Sequence, residues 1–147
     1  MARIKDDAIV PCKTKQLAGR SYRCYFELTL SVIGGKWKPI ILNHLGLRGI
    51  LRFGGLRRGM PDITERMLTR QLRELEADGM VHREVYREVP PRVEYSLTVL
   101  GQSLLPILRD MRLWGVAYER YLGGSGMFPP EAGYEDPEDV CGIILGE

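Results

Sequence analysis

What this chain of 147 residues has little of narrows its functional classes before any motif is read. Its three cysteines, Cys12, Cys24 and Cys141, are an odd number without a CxxC pair. A fully paired disulfide scaffold is thereby excluded and no zinc-finger spacing is offered, so free thiols in a reducing cytosol are expected. The two histidines, His44 and His82, stand far apart and have no Cys or acidic neighbour at ligand spacing; they read as ordinary helix and strand residues, and no metal is expected. No apolar run approaches the roughly 18 residues of a membrane span. No charged segment followed by an apolar stretch and a cleavage site opens the chain, so a cytoplasmic protein with no membrane partner is the expectation. No Gly-rich phosphate loop follows a strand, and no serine is set beside a base. Neither an enzyme nor a cofactor is expected.

Charge is unevenly placed. All 21 basic and 13 of the acidic side chains fall in residues 1–122, a balance of +8, whereas 123–147 carry six acidic and no basic ones, a balance of −6. The organisation read from this is a flexible arm over 1–20, one domain over 21–122, and an acidic, Gly- and Pro-containing tail over 123–147, disordered or loosely docked. The cationic body favours a polyanionic partner, although charge alone does not single one out.

The fold class expected is mainly α with a small β-hairpin. Apolar positions at helical spacing predict a first helix over Tyr22–Ile33, stopped by Gly34-Gly35. Trp37, Ile41 and Leu45 predict a second, with Pro39 in its first turn and an end near Gly46. A brief strand over Gly49–Phe53 and one or two helical turns over Phe53–Gly59 follow. Pro61 forces a break, after which Asp62 or Thr64 caps a further helix that Gly79 ends. Alternation of Val93, Tyr95 and Leu97 with Arg92, Glu94 and Ser96 predicts a strand, hairpinned to one carrying Val81 and Val85. Pro90-Pro91 stiffens the tip. Thr98 caps one long last helix, whose stripe of Leu100, Leu104, Leu108, Met111, Trp114, Tyr118 and Leu122 is too wide for a small domain to cover. A second chain is implied.

The helix after Pro61 has two faces. At about 100° per residue, Arg66, Thr69, Arg70 and Arg73 fall within about 100° of arc, with Leu68, Leu72 and Leu75 on the opposite side. An isolated helix of this kind is most simply a solvated surface helix. Its surroundings argue otherwise, because seven arginines and no lysine lie between Arg48 and Arg73 against only Asp62 and Glu65, a local +5. Guanidinium groups chelate guanine edges and phosphates bidentately, which ammonium groups do not. Thr64, Arg66, Thr69 and Arg70 in the N-terminal half, with Arg73, form the candidate base-reading set. Arg57 and Arg58 on the preceding turns are candidates for phosphate contact. Arg87 and Arg92, flanking the prolines, are candidates at the backbone or the adjacent minor groove.

The ordered set of Cys24, Gly34-Gly35-Lys36-Trp37, Arg52-Phe53, Leu56, Ile63, Met67-Leu68, Leu72, Leu75, Gly79, Arg83, Pro90-Pro91, Val93-Glu94-Tyr95, Leu97-Thr98 and Gly101 resembles the HxlR-type transcriptional regulators over roughly residues 24–122. The resemblance implies a MarR-like winged helix-turn-helix, homodimeric through its first and last helices. It also implies that the helix from Thr64 enters the major groove of double-stranded DNA at a pseudo-palindromic operator, more often as a repressor. It further implies that Cys24 senses oxidants or electrophiles, with Tyr25 standing where the family's usual motif has proline; Arg23 and the helix start both favour a thiolate there. Two rival readings accompany it. One is a sensor whose small-molecule ligand sits among aromatic residues (Tyr22, Tyr25, Phe26, Trp114, Tyr118, Tyr121) near the dimer interface. The other is a winged-helix module that docks another protein.

Overall fold

The computed structural model describes residues 11–124. The acidic tail, Cys141 within it and the first ten residues of the expected arm lie outside the described residues. The chain divides into two units, residues 1–35 and 36–147, with the boundary at the Gly34-Gly35 pair, inside the stretch expected to be one domain.

The first unit has a hairpin within the span expected as an arm. Strand β1 (Lys15–Leu17) pairs antiparallel with β2 (Arg20–Tyr22), Lys15 opposite Tyr22. The physical reason is the Ala18-Gly19 turn, whose φ values of 49° and 74° are both positive, as a two-residue hairpin connection of the favoured twist requires. Side chains then tie the hairpin to helix α1 (Tyr25–Ile33): Lys15 Nζ donates to the Tyr25 hydroxyl at 3.1 Å, and Arg20 Nη1 to Ser31 Oγ at 3.0 Å. Helix α1 begins later than Tyr22 because Tyr22 belongs to β2 and Cys24 takes the extended N-cap conformation.

The second unit runs α2 (Trp37–Arg48), β3 (Ile50–Leu51), α3 (Phe53–Gly59), α4 (Glu65–Ala77), β4 (Val81–Tyr86), β5 (Arg92–Leu97), α5 (Val99–Gln102) and α6 (Leu105–Leu122). Helix α2 outruns its expected end at Gly46 and closes at Gly49. Gly46 is instead a point of close packing: a Cβ there would lie 2.5 Å from Leu105 Cδ2, so α6 crosses α2 at its bare backbone. Strand β5 is central, flanked by β3 and β4, with Leu51 opposite Tyr95 and Val85 opposite Val93. The hairpin β4–β5 projects as a wing.

The single last helix expected from Thr98 is two. Thr98 caps α5, its Oγ1 accepting from Gly101 N at 2.9 Å, and a separate helix starts at Leu105. Pro106 is the cause, since it has no N–H for the Gln102 carbonyl and its ring occupies the space an intact helix needs there.

Ile41, Leu42 and Leu45 of α2, Leu56 of α3, and Leu68, Leu72 and Leu75 of α4 make the fully buried centre of this unit. Each such side chain contributes about 1.5–3 kcal/mol on burial. On α6, Leu108 and Leu113 are buried while Ile107, Met111, Trp114, Tyr118 and Leu122 stay exposed.

Candidate nucleic-acid interface

Helix α4 owes its position to its ends and to one face. Thr64, not Asp62, is the N-cap: it is extended, and its Oγ1 accepts from Met67 N at 3.1 Å. Of the two caps expected, Asp62 is therefore the one not used. At the other end Gly79 takes φ 78°, turning the chain into β4. Leu68, Leu72 and Leu75 seat one side in the core, which leaves Thr64, Arg66, Arg70 and Arg73 exposed and Thr69 half-buried on the other. The expected two-faced helix is present.

The arginines are not equivalent. Arg57 Nη1 meets Glu65 Oε1 at 2.6 Å, across the turn between α3 and α4. Arg70 Nε meets Glu74 Oε1 at 3.0 Å along α4, and the other oxygen of Glu74 receives Lys38 Nζ from α2 at 2.8 Å. Lys38 first, then Arg70, hold the Glu74 carboxyl below its ordinary titration range, so it stays ionised. Among the described residues, Arg58, Arg66, Arg73 and Arg87 have no side-chain hydrogen bond or ion pair.

At the wing, Arg92 is engaged from three sides. Its Nη2 lies 3.3 Å from Glu88, its Nε 3.6 Å from Glu94, and its guanidinium 3.9 Å over the Tyr86 ring. Glu94 also raises the Tyr86 hydroxyl's pKa. Of the two wing arginines in the candidate set, Arg87 is exposed and unengaged, whereas Arg92 serves the hairpin's own structure.

A residue that the sequence reading left without a role joins the face. Between α4 and the wing, Thr69, Arg73, Glu76, Arg83 and Tyr95 line a polar hollow of about 180 Å³. Arg83 on β4 thus reaches the same side as Arg73, and the signal available beforehand was its alternation with the buried Val81.

Cys24 belongs to the first unit. Its backbone N–H donates to Glu27 Oε2 at 3.2 Å, as does that of Arg23, so a carboxylate shares the helix start with the thiol. The aromatic residues expected to line a ligand pocket fall in both units. Tyr22, Tyr25 and Phe26 belong to the first unit, while Trp114, Tyr118 and Tyr121 stack along α6 with centroids 4.9 and 6.4 Å apart. A cavity of about 450 Å³ does exist among α2, the α3–α4 turn and α6, walled by Trp37, Ile40, His44, Met60, Leu108 and Met111 among others. His44 is buried there, and burial pushes its pKa down against a hydrogen bond to the Gly59 backbone.

Helix, strand, two helices set as a helix-turn-helix and a two-stranded wing, with a cationic outer face on the second of that pair, define a DNA-binding regulator of the winged helix-turn-helix class. Residues 32–121 match the family described as HxlR-like helix-turn-helix, and the chain belongs to that family. It is a transcriptional regulator of HxlR type. It is 61% identical over 92 residues to the HTH-type transcriptional regulator YybR of Bacillus subtilis, covering 63% of this chain and 73% of that protein. Among solved structures it is similar to the redox regulator HypR in its oxidized form, with 61% identity, 63% of this chain and 94% of that one covered, and a TM-score of 0.60. It is also similar to the reduced form of the transcriptional regulator YodB of B. subtilis, at 33% identity, 63% and 91% coverage, and a TM-score of 0.55. The family match begins at residue 32, beyond Cys24. No helix among the described residues is long and apolar enough to cross a membrane.

Proposed function

We propose that the protein is a homodimeric repressor that binds a pseudo-palindromic operator without catalysing any reaction, inserting α4 of each copy into the major groove. The observation that carries this is the outer face of α4: Arg66, Arg70 and Arg73 exposed opposite a fully buried leucine row. Arg70 and Arg66 read bases, while Arg58, on α3, and Arg87, at the wing, meet phosphates. The copies associate through α1 and α6, whose exposed Phe26, Leu30, Ile107, Met111, Trp114 and Leu122 would otherwise leave a large apolar surface in water. A two-fold dimer places its reading helices about 34–36 Å apart, one turn of duplex.

Gel-shift titrations test the face. Arg70→Ala loses discrimination between the operator and a random duplex by roughly 5–150-fold, the worth of one bidentate base contact. Arg58→Ala weakens both duplexes alike and lowers the salt slope by about one. Unchanged binding by both variants sinks the assignment.

Control of binding is assigned to Cys24, a partly exposed thiol at a helix start in a chain similar to the redox regulator HypR. Diamide or an alkylating quinone releases the wild-type protein from DNA, and Cys24→Ser abolishes the response. The cavity beside His44 favours a second reading, in which a small apolar ligand carries the signal. An inducer response kept by Cys24→Ser and lost when Asn43→Phe, on the wall of that cavity, fills it selects the second.

A further inference from the structure

Lys38 is a lysine where lysines seldom sit. It is 8% exposed, on the same helix as the fully buried Ile41, Leu42 and Leu45, and such burial is rare without a partner. Its partner is Glu74, 2.8 Å away on the helix that carries the DNA-facing arginines. Glu74 splits its two oxygens, Oε2 toward Lys38 beneath and Oε1 toward Arg70 Nε above at 3.0 Å. The three form one chain of alternating charge running from the interior to the outer surface of α4.

Each link has a consequence for Arg70. Its side chain is 70% exposed, so little packing holds it, and a free arginine must lose rotamer freedom when it docks on a base. Glu74 supplies that restraint beforehand. Because the contact is to Nε, both Nη groups remain available, and a pair of parallel N–H donors is what guanine O6 and N7 require. The carboxylate itself would repel phosphates and is free to turn unless held. Lys38 holds it from below, balances its charge and, being buried, cannot leave to bind DNA in its own right.

We propose that Lys38 is a positioning residue for sequence discrimination, acting through Glu74 to fix Arg70 with its Nη edge toward the base pairs. This rests on the reading of α4 as the DNA-reading helix. The contrast is with Arg66 and Arg73, which no carboxylate restrains; discrimination at the base pair met by Arg70 therefore depends on a residue that does not touch DNA.

The test uses the full chain and a duplex that the wild-type protein enriches from a randomised library. Fluorescence anisotropy at one salt concentration gives the ratio of affinities for that duplex and a scrambled one. Lys38→Met and Glu74→Gln should each lower the ratio by about ten-fold, within the range of one bidentate contact. In an Arg70→Ala background each should lower it by less than about two-fold, because the residues act as one unit and their effects do not add. Rigid-body damage to the fold would instead lower it equally in both backgrounds, and that result overturns the proposal. So does retention of the wild-type ratio by Lys38→Met and Glu74→Gln while Arg70→Ala loses it, an outcome that leaves the assignment of α4 intact. If wild-type protein enriches no duplex at all, the assignment of α4 falls and this proposal with it. The double variant Lys38→Met with Glu74→Gln leaves no buried charge without its counter-ion, so it decides the matter even where either single variant fails to fold.

Discussion

Gly101→Ala puts the junction between the wing and the last helices to a quantitative test. A Cβ at residue 101 would lie 2.1 Å from the Met80 carbonyl oxygen and 3.0 Å from its carbon, atoms of the backbone that cannot rotate aside. Relief demands a shift of about 1 Å to reach the closest contacts that packed interiors tolerate. That same carbonyl accepts from Thr98 N at 3.1 Å and from Thr98 Oγ1 at 3.2 Å, so moving it loosens both. Two weakened hydrogen bonds cost about 1 kcal/mol each, and an overpacked site a further 1–3 kcal/mol or so; the loss of stability is about 3–5 kcal/mol. Urea unfolding followed by tryptophan fluorescence measures it, at one fixed chain concentration because the proposed association would contribute to stability. Gly54→Ala is the companion: its Cβ would meet only Arg58 Nη1 at 3.7 Å, and replacing a helical glycine there should add about 0.5–1 kcal/mol. A Gly101→Ala protein within about 0.5 kcal/mol of wild type would refute the reasoning.

Leu72→Ala, which empties a fully buried site under the arginine face, should cost about 2–5 kcal/mol in the same assay; a loss under 1 kcal/mol or so would mean the site collapses freely. Trp114→Glu places a charge in the exposed aromatic row of α6 and should raise the dissociation constant of the proposed dimer at least about ten-fold by sedimentation, as expected for an interface anchor. An unaltered dimer would remove α6 from the interface. His44 is held neutral by burial, its folded pKa below the ordinary 6.5, so the unfolded chain binds more protons between the two values. Stability is therefore fully present above about pH 6.5 and is lost as pH falls through the folded value; His44→Gln should flatten that slope, and an unchanged pH profile would count against the buried histidine as its source.

Much of the second unit was legible in advance because its signals are local. The leucine row of α4 repeats at helical spacing, the alternation of Val93, Tyr95 and Leu97 marks β5, and Gly79 stands where the chain turns. The break before Leu105 was missed although its cause is written at Pro106: a continuous apolar stripe outweighed one residue whose effect falls four positions upstream. The hairpin over 15–22 was missed for a different reason, since three-residue strands show too little alternation to register and Ala18 is an unusual carrier of positive φ. In the site, the identity of the arginine face followed from arithmetic, but its division into restrained and free groups did not. Arg70 and Glu74 are four residues apart, a spacing that by itself predicts a pair along one helix face; Lys38 and Glu74 meet only because α2 and α4 pack. Arg92 has acidic neighbours at 88 and 94, and that local pattern already pointed to a hairpin role.

The separation of faces on α4 bears on how such a regulator changes over evolutionary time. Leu68, Leu72 and Leu75 meet the interior and contribute its stability, while Arg66 and Arg73 are exposed and hold no ion pair among the described residues. Substitutions at those two positions should thus be nearly silent for folding and, on the proposed reading of α4, register chiefly in which promoters are recognised. A duplicated copy of this chain can drift to a new set of target genes through exposed residues alone, with the scaffold beneath them unaltered.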